Sequence, residues 1–236
     1  MKFKSILTLT ALLFLNSCFA QHDAFKTSIP DFKMIETTIK DERSAFYYPA
    51  LIKRYKNNDT TFTTEEYRFL YYGFSFQDGY SAYGTPKHAD ELKKIFEKKN
   101  LTDDDRDEII ALEKKVMDEF PFNLRNLNVL INMMEQRGDT IAAVFQIKKL
   151  VGIANAIMST GDGRSESTPM YVINVEHEYD MIGLLGYRSA GQQSLLNTKN
   201  GSMDKLELQE NNEGIKSMYF NIDRIFASME KTFKKN

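Results

Sequence analysis

The fold of this chain is decided between residues 123 and 158, which read NLRNLNVLINMMEQRGDTIAAVFQIKKLVGIANAIM. Apolar residues recur there at intervals of three and four, first from Leu124 to Met134 and again from Ala143 to Ile157. Gly138-Asp139 stands between the two runs. Because glycine ends helices in a left-handed cap and aspartate begins them, the stretch predicts two antiparallel helices that pack face to face.

This predicted hairpin resembles a tetratricopeptide repeat. The matching positions are Leu127, Leu130, Met134, Gly138-Asp139, Ala143, Ile147 and Leu150. Ile131 and Leu150 stand where that family prefers small residues. The resemblance covers about 36 residues, which is one repeat, whereas a free-standing array needs three or more. It therefore implies a single hairpin inside a larger domain and argues against a peptide-binding superhelix.

Five more helices are predicted before the hairpin. Their expected ranges are Asp31 to Lys40, Pro49 to the cluster Asn57-Asn58-Asp59, Thr63 to Tyr71, His88 to Lys98 and Asp103 to Glu119. Thr63 and Glu66 have the spacing of a capping box. Thr102 is placed to cap the last of these helices, which begins with three aspartates at the favourable end of its dipole.

The pattern changes after Met158. Residues 159–165 have the composition of a loop, and Met170 to Val175 is rich in strand-forming residues. Lys205 to Glu210 and Ile215 to Ile222 alternate around the turn Asn211-Asn212-Glu213-Gly214, and a short helix closes the chain. The sequence predicts an α+β fold: a helical region with the tetratricopeptide-like hairpin (31–158), then a small antiparallel sheet and a C-terminal helix (159–236), in a single globular domain.

The N-terminus has the pattern of an export signal. Lys2 and Lys4 precede an apolar or threonine run from Ile6 to Leu15, which is too short to span a membrane. We expect a signal peptide over residues 1–20 and a tether over 21–30. Two cleavage sites remain open: a lipobox ending at Cys18, which would then be lipidated, or the small-x-small site Cys18-Phe19-Ala20 before Gln21.

Composition excludes several functions. Removal of the signal reduces the 31 basic residues to 29 against 33 acidic ones, a net charge of −4, which disfavours nucleic acid and anionic lipid as partners. Cys18 is the single cysteine, so a mature chain has no thiol for disulfides, thiolate zinc sites or nucleophilic catalysis. No motif predicts a cofactor or a transmembrane helix.

The densest group of ionisable residues is Glu176-His177-Glu178-Tyr179-Asp180. In a strand, Glu176, Glu178 and Asp180 would share one face; in a helix, His177 and Asp180 would be neighbours. Either geometry would suit a ligand or a cation. Acidic residues are also common at a helix N-terminus, where they interact with the dipole, so a purely structural role is the alternative.

Two other segments are candidates for ligand binding. Gly161-Asp162-Gly163 lies among serines and threonines that would offer donors to an anion, although a surface turn explains the same composition. Tyr71 and Tyr72 lie in a segment with eight aromatic residues among the seventeen from Tyr67 to Tyr83. Aromatic residues this dense predict either core packing or a face that stacks on a ligand.

Five motifs in order resemble a family of exported Bacteroidota proteins, the domain-of-unknown-function family numbered 4919. They are Tyr47-Tyr48-Pro49, Asp59-Thr60-Thr61, Glu65-Glu66-Tyr67-Arg68 with Tyr71-Tyr72-Gly73, Ser159-Thr160-Gly161-Asp162-Gly163, and His177-Glu178-Tyr179-Asp180. The resemblance implies a protein of the Gram-negative envelope, in the periplasm or anchored by lipid. It also implies that the glycine loop and the His177 segment belong to the family pattern, but it brings no activity.

Two functions are consistent with these features. The first is a non-enzymatic binding module whose partner is an envelope protein or a small ligand. It is favoured by the tetratricopeptide-like hairpin, by the aromatic segment and by the absence of a nucleophile with a matching base. The alternative is a metal-dependent or acid–base hydrolase that uses the cluster from Glu176 to Asp180. That alternative requires those side chains to meet Asp162 in one cleft.

Overall fold

The computed structural model describes residues 27–84 and 86–233, so the predicted signal peptide, Cys18 and residues 21–26 of the tether lie outside the described residues. The helices of the first half are α1 (Phe32–Thr38), α2 (Tyr48–Lys56), α3 (Thr64–Phe74), α4 (Ala89–Phe96), α5 (Asp103–Glu119), α6 (Leu124–Gln136) and α7 (Thr140–Met158). The second half contains β1 (Met170–Tyr171), α8 (Glu176–Leu184), β2 (Ser189–Thr198), β3 (Gly201–Leu208), β4 (Ser217–Asn221) and α9 (Asp223–Phe233). The predicted α+β class is confirmed.

Side-chain caps begin several of these helices. The capping box of α3 is confirmed: Thr63 accepts from the Glu66 amide, and the Glu66 carboxylate accepts from the Thr63 amide at 2.8 Å. Thr102 and Asp105 make the same reciprocal pair at the start of α5. Because each box satisfies amides that have no partner within the helix, it fixes where the helix begins.

Helices α6 and α7 form the predicted hairpin. Gly138 adopts a φ of +80°, and the Asp139 side chain accepts from the Ala142 amide, so both turn residues act as expected. Gly152 lets α7 approach α3 so closely that a β-carbon there would overlap the Tyr67 ring. By length and composition alone α7 would suffice to cross a membrane, but in this fold it packs between α3 and α6 and supplies core residues.

The sheet has the order β1-β4-β3-β2. β1 pairs with β4 in parallel, so the sheet is mixed and the prediction of a wholly antiparallel sheet was wrong in this respect. β3 and β4 confirm the two alternating runs. The sequence prediction missed β2, whose residues SAGQQSLLNT include no β-branched residue before Thr198 and therefore carry little strand propensity. Its pairing with β3 keeps it in the sheet.

One cluster of buried apolar side chains contains residues of both halves, from Ile35 to Ile225. Tyrosine hydroxyls cross the same boundary: Tyr72 donates to the Tyr171 carbonyl at 3.0 Å, and Tyr80 donates to the Ile173 carbonyl at 2.5 Å. Arg224 of α9 is buried, donates to Ser75 and lies 3.9 Å from the centre of the Phe76 ring. The helices and the sheet therefore share a core, which holds α8 in place.

Candidate functional site

The segment that carries the candidate ionisable cluster is helical. α8 spans Glu176–Leu184, so the strand geometry with Glu176, Glu178 and Asp180 on one face does not occur. The Asn174 side chain accepts from the Glu176 amide at 2.8 Å, and Glu176 and Glu178 lie in the first turn, where the helix dipole favours acids. The helical turn directs neighbouring residues of the cluster into different environments.

His177 is directed into the core. Its Nδ1 lies 2.7 Å from the Tyr71 hydroxyl, which in turn accepts from the Ile173 amide at 3.3 Å. Burial lowers the pKa of His177 to about 4, against the opposing effect of a hydrogen bond to the Phe122 backbone. The imidazole is therefore neutral at pH 7, with Nδ1 accepting from Tyr71. His177 borders a small cavity of about 20 Å³. Its contact with Tyr71 connects α8 with α3.

Glu178 forms a buried carboxyl pair with Asp204 of β3. Glu178 is 0% exposed and Asp204 is 6% exposed. Burial and the neighbouring Asp204 raise the pKa of Glu178 to about 9, and burial also raises the pKa of Asp204. Two ionised carboxylates would face each other only as acceptors, and no described residue other than Asp204 gives either Glu178 oxygen a hydrogen-bond partner. A proton held by Glu178 and donated to Asp204 resolves this conflict, as in other close carboxyl pairs.

A chain of hydrogen bonds leads from this pair to the surface. The Gln193 amide of β2 donates to Asp204 Oδ2 at 2.6 Å, and the Tyr179 hydroxyl donates to Gln193 Oε1 at 2.8 Å. Each bond joins two elements, so the carboxyl pair, β2 and α8 are fixed relative to one another. The charges of Glu178 and Asp204 add to the effect of burial in raising the pKa of both Tyr179 and Tyr83.

Three large apolar or aromatic side chains are exposed around this network, and we call them the Tyr-Leu patch: Tyr83, Tyr179 and Leu195. Tyr83 is 57% exposed and Leu195 is 53% exposed. Leu195 lies opposite Asp204 in the β2–β3 register, and Tyr179 reaches β2 through Gln193. The patch thus lies beside β2, which ends the sheet.

The two remaining acids of the cluster contact α6 and the turn before it. Asp180 is largely buried and its Oδ1 lies 3.7 Å from Arg125 Nε, while its Oδ2 has no hydrogen-bond partner in the part of the chain that the structure describes. Burial raises the pKa of Asp180 to about 6, which the Arg125 charge opposes. Glu176 accepts from Asn123 at 3.2 Å. These contacts hold α8 against the helices of the first half, and neither of them includes Glu178 or Asp204.

The glycine loop has a structural role of its own. Asp162 Oδ1 accepts from the Arg164 amide at 3.0 Å and from the Thr168 hydroxyl at 2.6 Å. The Gly163 carbonyl accepts from the Tyr219 amide at 2.8 Å, which fastens the loop to β4. Among the described residues, no hydrogen bond or ion pair joins Asp162 to α8. The convergence of Asp162 with the acidic cluster, which the hydrolase alternative requires, is therefore not found, because the Asp162 carboxylate accepts within the loop and the Gly163 carbonyl accepts from β4.

Substitution of Gly161 by alanine tests the structural role of this loop. A β-carbon at Gly161 would overlap the backbone carbonyls of Thr168 and Pro169, whereas nothing lies within 4 Å of one at Gly183 in α8. We expect Gly161→Ala to lower the free energy of unfolding by about 1–3 kcal/mol. Gly183→Ala should raise it by roughly 0.5–1 kcal/mol, since alanine favours a helix. Urea unfolding measures both, and equal effects at the two sites would contradict the tight loop.

Tyr71 and Tyr72 are both fully buried, so the hypothesis that they stack directly on a ligand is wrong. Tyr71 packs against Phe122 and His177, and Tyr72 packs against Phe32. Their neighbour Arg68 lies 5.8 Å from the Tyr72 ring centre. The dense aromatic segment is core because it fills the junction between the helices and the sheet, and Tyr83 at its end is the exposed exception.

Sequence reasoning missed Asp204, Gln193 and Leu195. Asp204 occupies an inward position of β3, between the buried Met203 and Leu206. An acid among the apolar residues of a strand is the one sequence signal that indicates it. Gln193 and Leu195 lie on the strand that the sequence did not predict. Within residues 27–84 and 86–233, no three His, Cys, Asp or Glu side chains are grouped to hold a metal ion.

Comparison with protein families matches residues 33–231 to the model described as Domain of unknown function (DUF4919). Comparisons with curated proteins and with solved structures found no match. The resemblance of α6 and α7 to a tetratricopeptide repeat and the Bacteroidota origin stay predictions. The matched range includes most of the chain, both the helices and the sheet. The chain therefore belongs to the DUF4919 family.

Proposed function

We propose that this chain is a non-enzymatic interaction module of the cell envelope that binds an extended segment of a partner protein along β2. The observation that carries the proposal is the state of this edge strand. β2 is ten residues long, pairs on one side with β3, and has a mostly exposed surface. The envelope location is part of the proposal and rests on the signal-like residues 1–20.

The composition of β2 supports strand addition. Edge strands usually carry charges, proline or bulges that prevent another strand from pairing. SAGQQSLLNT has no charge and no proline, and its one irregularity in register lies between Ser189 and Gln193, so Gln193 to Thr198 is the regular part that a partner strand would meet. An extended peptide would complete the hydrogen bonds of the outer edge, while pockets for its alternate side chains give specificity. The Tyr-Leu patch provides such a surface on one face of β2. The backbone hydrogen bonds of β2 would thus provide affinity, and the adjacent Tyr-Leu patch would provide specificity.

Charge favours a different protein over a second copy of this chain. Arg188 and Lys199 are exposed and flank β2 at its two ends. If two β2 strands paired antiparallel along their full length, Arg188 of each would lie opposite Lys199 of the other. Like charges placed opposite each other destabilise a strand pair. We therefore expect a partner segment that is extended, apolar at its centre and acidic near its ends.

Site-specific crosslinking in the native host tests this proposal. A photo-crosslinking residue at Leu195 should capture one defined polypeptide segment, and the same residue at Ile141, which is exposed on α7, should not. A synthetic peptide of that segment should bind the purified domain, and Leu195→Asp should weaken binding by about tenfold or more. Ile141→Asp is the matched control and should leave the affinity unchanged.

Three results would count against the proposal. They are capture at Ile141 equal to that at Leu195, peptide binding unaffected by Leu195→Asp, and crosslinks from Leu195 only to a second copy of the chain. The last result would indicate self-assembly through β2. Sedimentation velocity of the purified domain distinguishes that case, because a self-pairing strand makes the molecular mass depend on concentration.

The acid–base hydrolase is the second candidate, and the Glu178–Asp204 pair is the observation that favours it. A carboxyl that holds its proton at pH 7 beside a second carboxyl is a suitable general acid. Both side chains are buried, however, so a substrate would reach them only after α8 or β2 moved. The interaction module requires no such movement and is therefore preferred.

A further inference from the structure

We infer that the helical half holds a second site, a cavity that binds a small organic anion. The cavity has a volume of about 260 Å³ and lies between α2, α5, α6 and α7. It is lined by Tyr55, Lys56, Asn58, Lys114, Met117, Asp118, Leu130, Gln146 and Lys149. A single water needs only about 10–15 Å³ of such space, so the cavity has room for a ligand of many atoms.

The charge of the cavity wall is positive. It includes three lysines and one carboxylate, and the carboxylate of Asp118 is already paired with Lys56 at 2.8 Å. Neither Lys114 nor Lys149 forms an ion pair with a described residue. Two ammonium groups therefore face the cavity without a neutralising anion, and they come from different helices, α5 and α7.

Lys149 is the central group of this site. It is partly buried, and its Nζ lies 4.8 Å from the centre of the Tyr55 ring, which compensates the positive charge only in part. Burial and the nearby charge of Lys56 lower the pKa of Lys149 to about 8. A partly buried cation that has only an aromatic ring beside it is less stable than one in water, so an anion that enters the cavity would remove a cost already present in the empty protein.

Two uncharged polar side chains indicate what else the ligand carries. Asn58, at a φ of 59° in the turn after α2, has a buried Oδ1 to which none of the described residues donates a hydrogen bond. The Gln146 side chain is 9% exposed and forms no hydrogen bond with a described residue. Asn58 Oδ1 is closed to solvent in the empty protein, so an anion that also has hydroxyl groups would donate to it after the Asn58 side chain turns toward the cavity, while the charge of the anion meets Lys149. The ligand class is thus a hydroxylated small anion, such as a sugar phosphate.

Calorimetric titration of the purified domain tests this site with glucose 6-phosphate, inorganic phosphate, citrate and uncharged glucose. We expect glucose 6-phosphate to bind and glucose not to bind. Lys149→Met removes the charge but keeps most of the volume, and it should weaken binding by about tenfold or more. Lys148→Met is the matched control on the exposed side of the same helix and should bind as the wild type does.

The affinity should also fall between pH 7 and pH 9, because Lys149 loses its proton in that range. The other titratable groups facing Lys149 are Lys56 and Tyr55 on α2 and Lys114 and Asp118 on α5, while α6 contributes the apolar Leu130. Equal loss of binding in Lys148→Met and Lys149→Met would overturn the proposal. So would the absence of binding by any of the three anions at millimolar concentration, measured on protein whose cooperative unfolding shows that it is folded.

Discussion

Replacement of Tyr71 by alanine should lower the free energy of unfolding by about 3–5 kcal/mol, the range for removal of a buried aromatic ring. Tyr71 is 0% exposed and packs against Tyr72, Phe122 and His177 at ring-centre distances of 4.9 to 6.0 Å. Its hydroxyl also connects the Ile173 amide with His177 Nδ1. The substitution would remove the contacts that Tyr71 of α3 makes with Ile173 and His177 in the second half of the chain.

Two further substitutions separate packing from hydrogen bonding. Tyr71→Phe keeps the ring but leaves two buried polar groups without a partner, so we expect a loss of about 1–3 kcal/mol. Tyr83→Ala, on the exposed end of the same aromatic segment, should change stability by less than about 0.5 kcal/mol. Urea unfolding followed by circular dichroism measures all three. If Tyr71→Ala cost no more than Tyr83→Ala, the segment would not be core and a ligand-stacking role would return.

Replacement of Glu178 by glutamine should stabilise the protein at pH 8 by about 2–4 kcal/mol and change its stability little near pH 5. The folded pKa of Glu178 is raised from 4.5 to about 9. Between these values the folded state keeps a proton that the unfolded state releases, so the stability of the wild type falls as the pH rises. Glutamine cannot ionise, and its amide can donate to Asp204 in place of that proton.

The difference between variant and wild type isolates the Glu178–Asp204 pair, because Asp204 loses its carboxyl neighbour in the variant. Glu113, Asp180, His177 and Lys149 also have shifted pKa values, of about 7, 6, 4 and 8, but they are present in both proteins and largely cancel. Glu176→Gln is the control, since Glu176 is exposed on the same helix. Urea unfolding from pH 5 to pH 9 gives the curves. Parallel curves for Glu178→Gln and wild type would show that Glu178 is ionised in the folded state.

The helical half could be predicted from sequence because its signals are local. The capping pair of Thr63 and Glu66 and the turn at Gly138-Asp139 fix helix ends through groups that are near in sequence. β2 and the parallel pairing of β1 could not be predicted in this way. SAGQQSLLNT forms a strand because β3 supplies its hydrogen bonds, and the two residues of β1 reach β4 across about fifty residues of chain.

The candidate site shows the same limit. Sequence density drew attention to Glu176, His177, Glu178 and Asp180, and three of these side chains are indeed largely buried and have shifted pKa values. Their partners are Tyr71, Asp204 and Arg125, which are far away in the chain. Since each of these partners contacts a different residue, the side chains of the cluster do not form one site. Only the tertiary fold determines which distant residue each of these side chains contacts.

Hydrogen–deuterium exchange measures whether a partner segment adds to the outer edge of β2, as we propose. The purified domain would be compared with and without the peptide identified by crosslinking at Leu195. Strand addition predicts that amide exchange slows in residues 189–198, while exchange in α7 is unchanged. Unchanged exchange in β2, with new protection only in the helical half, would contradict the account and would place the partner elsewhere on the molecule.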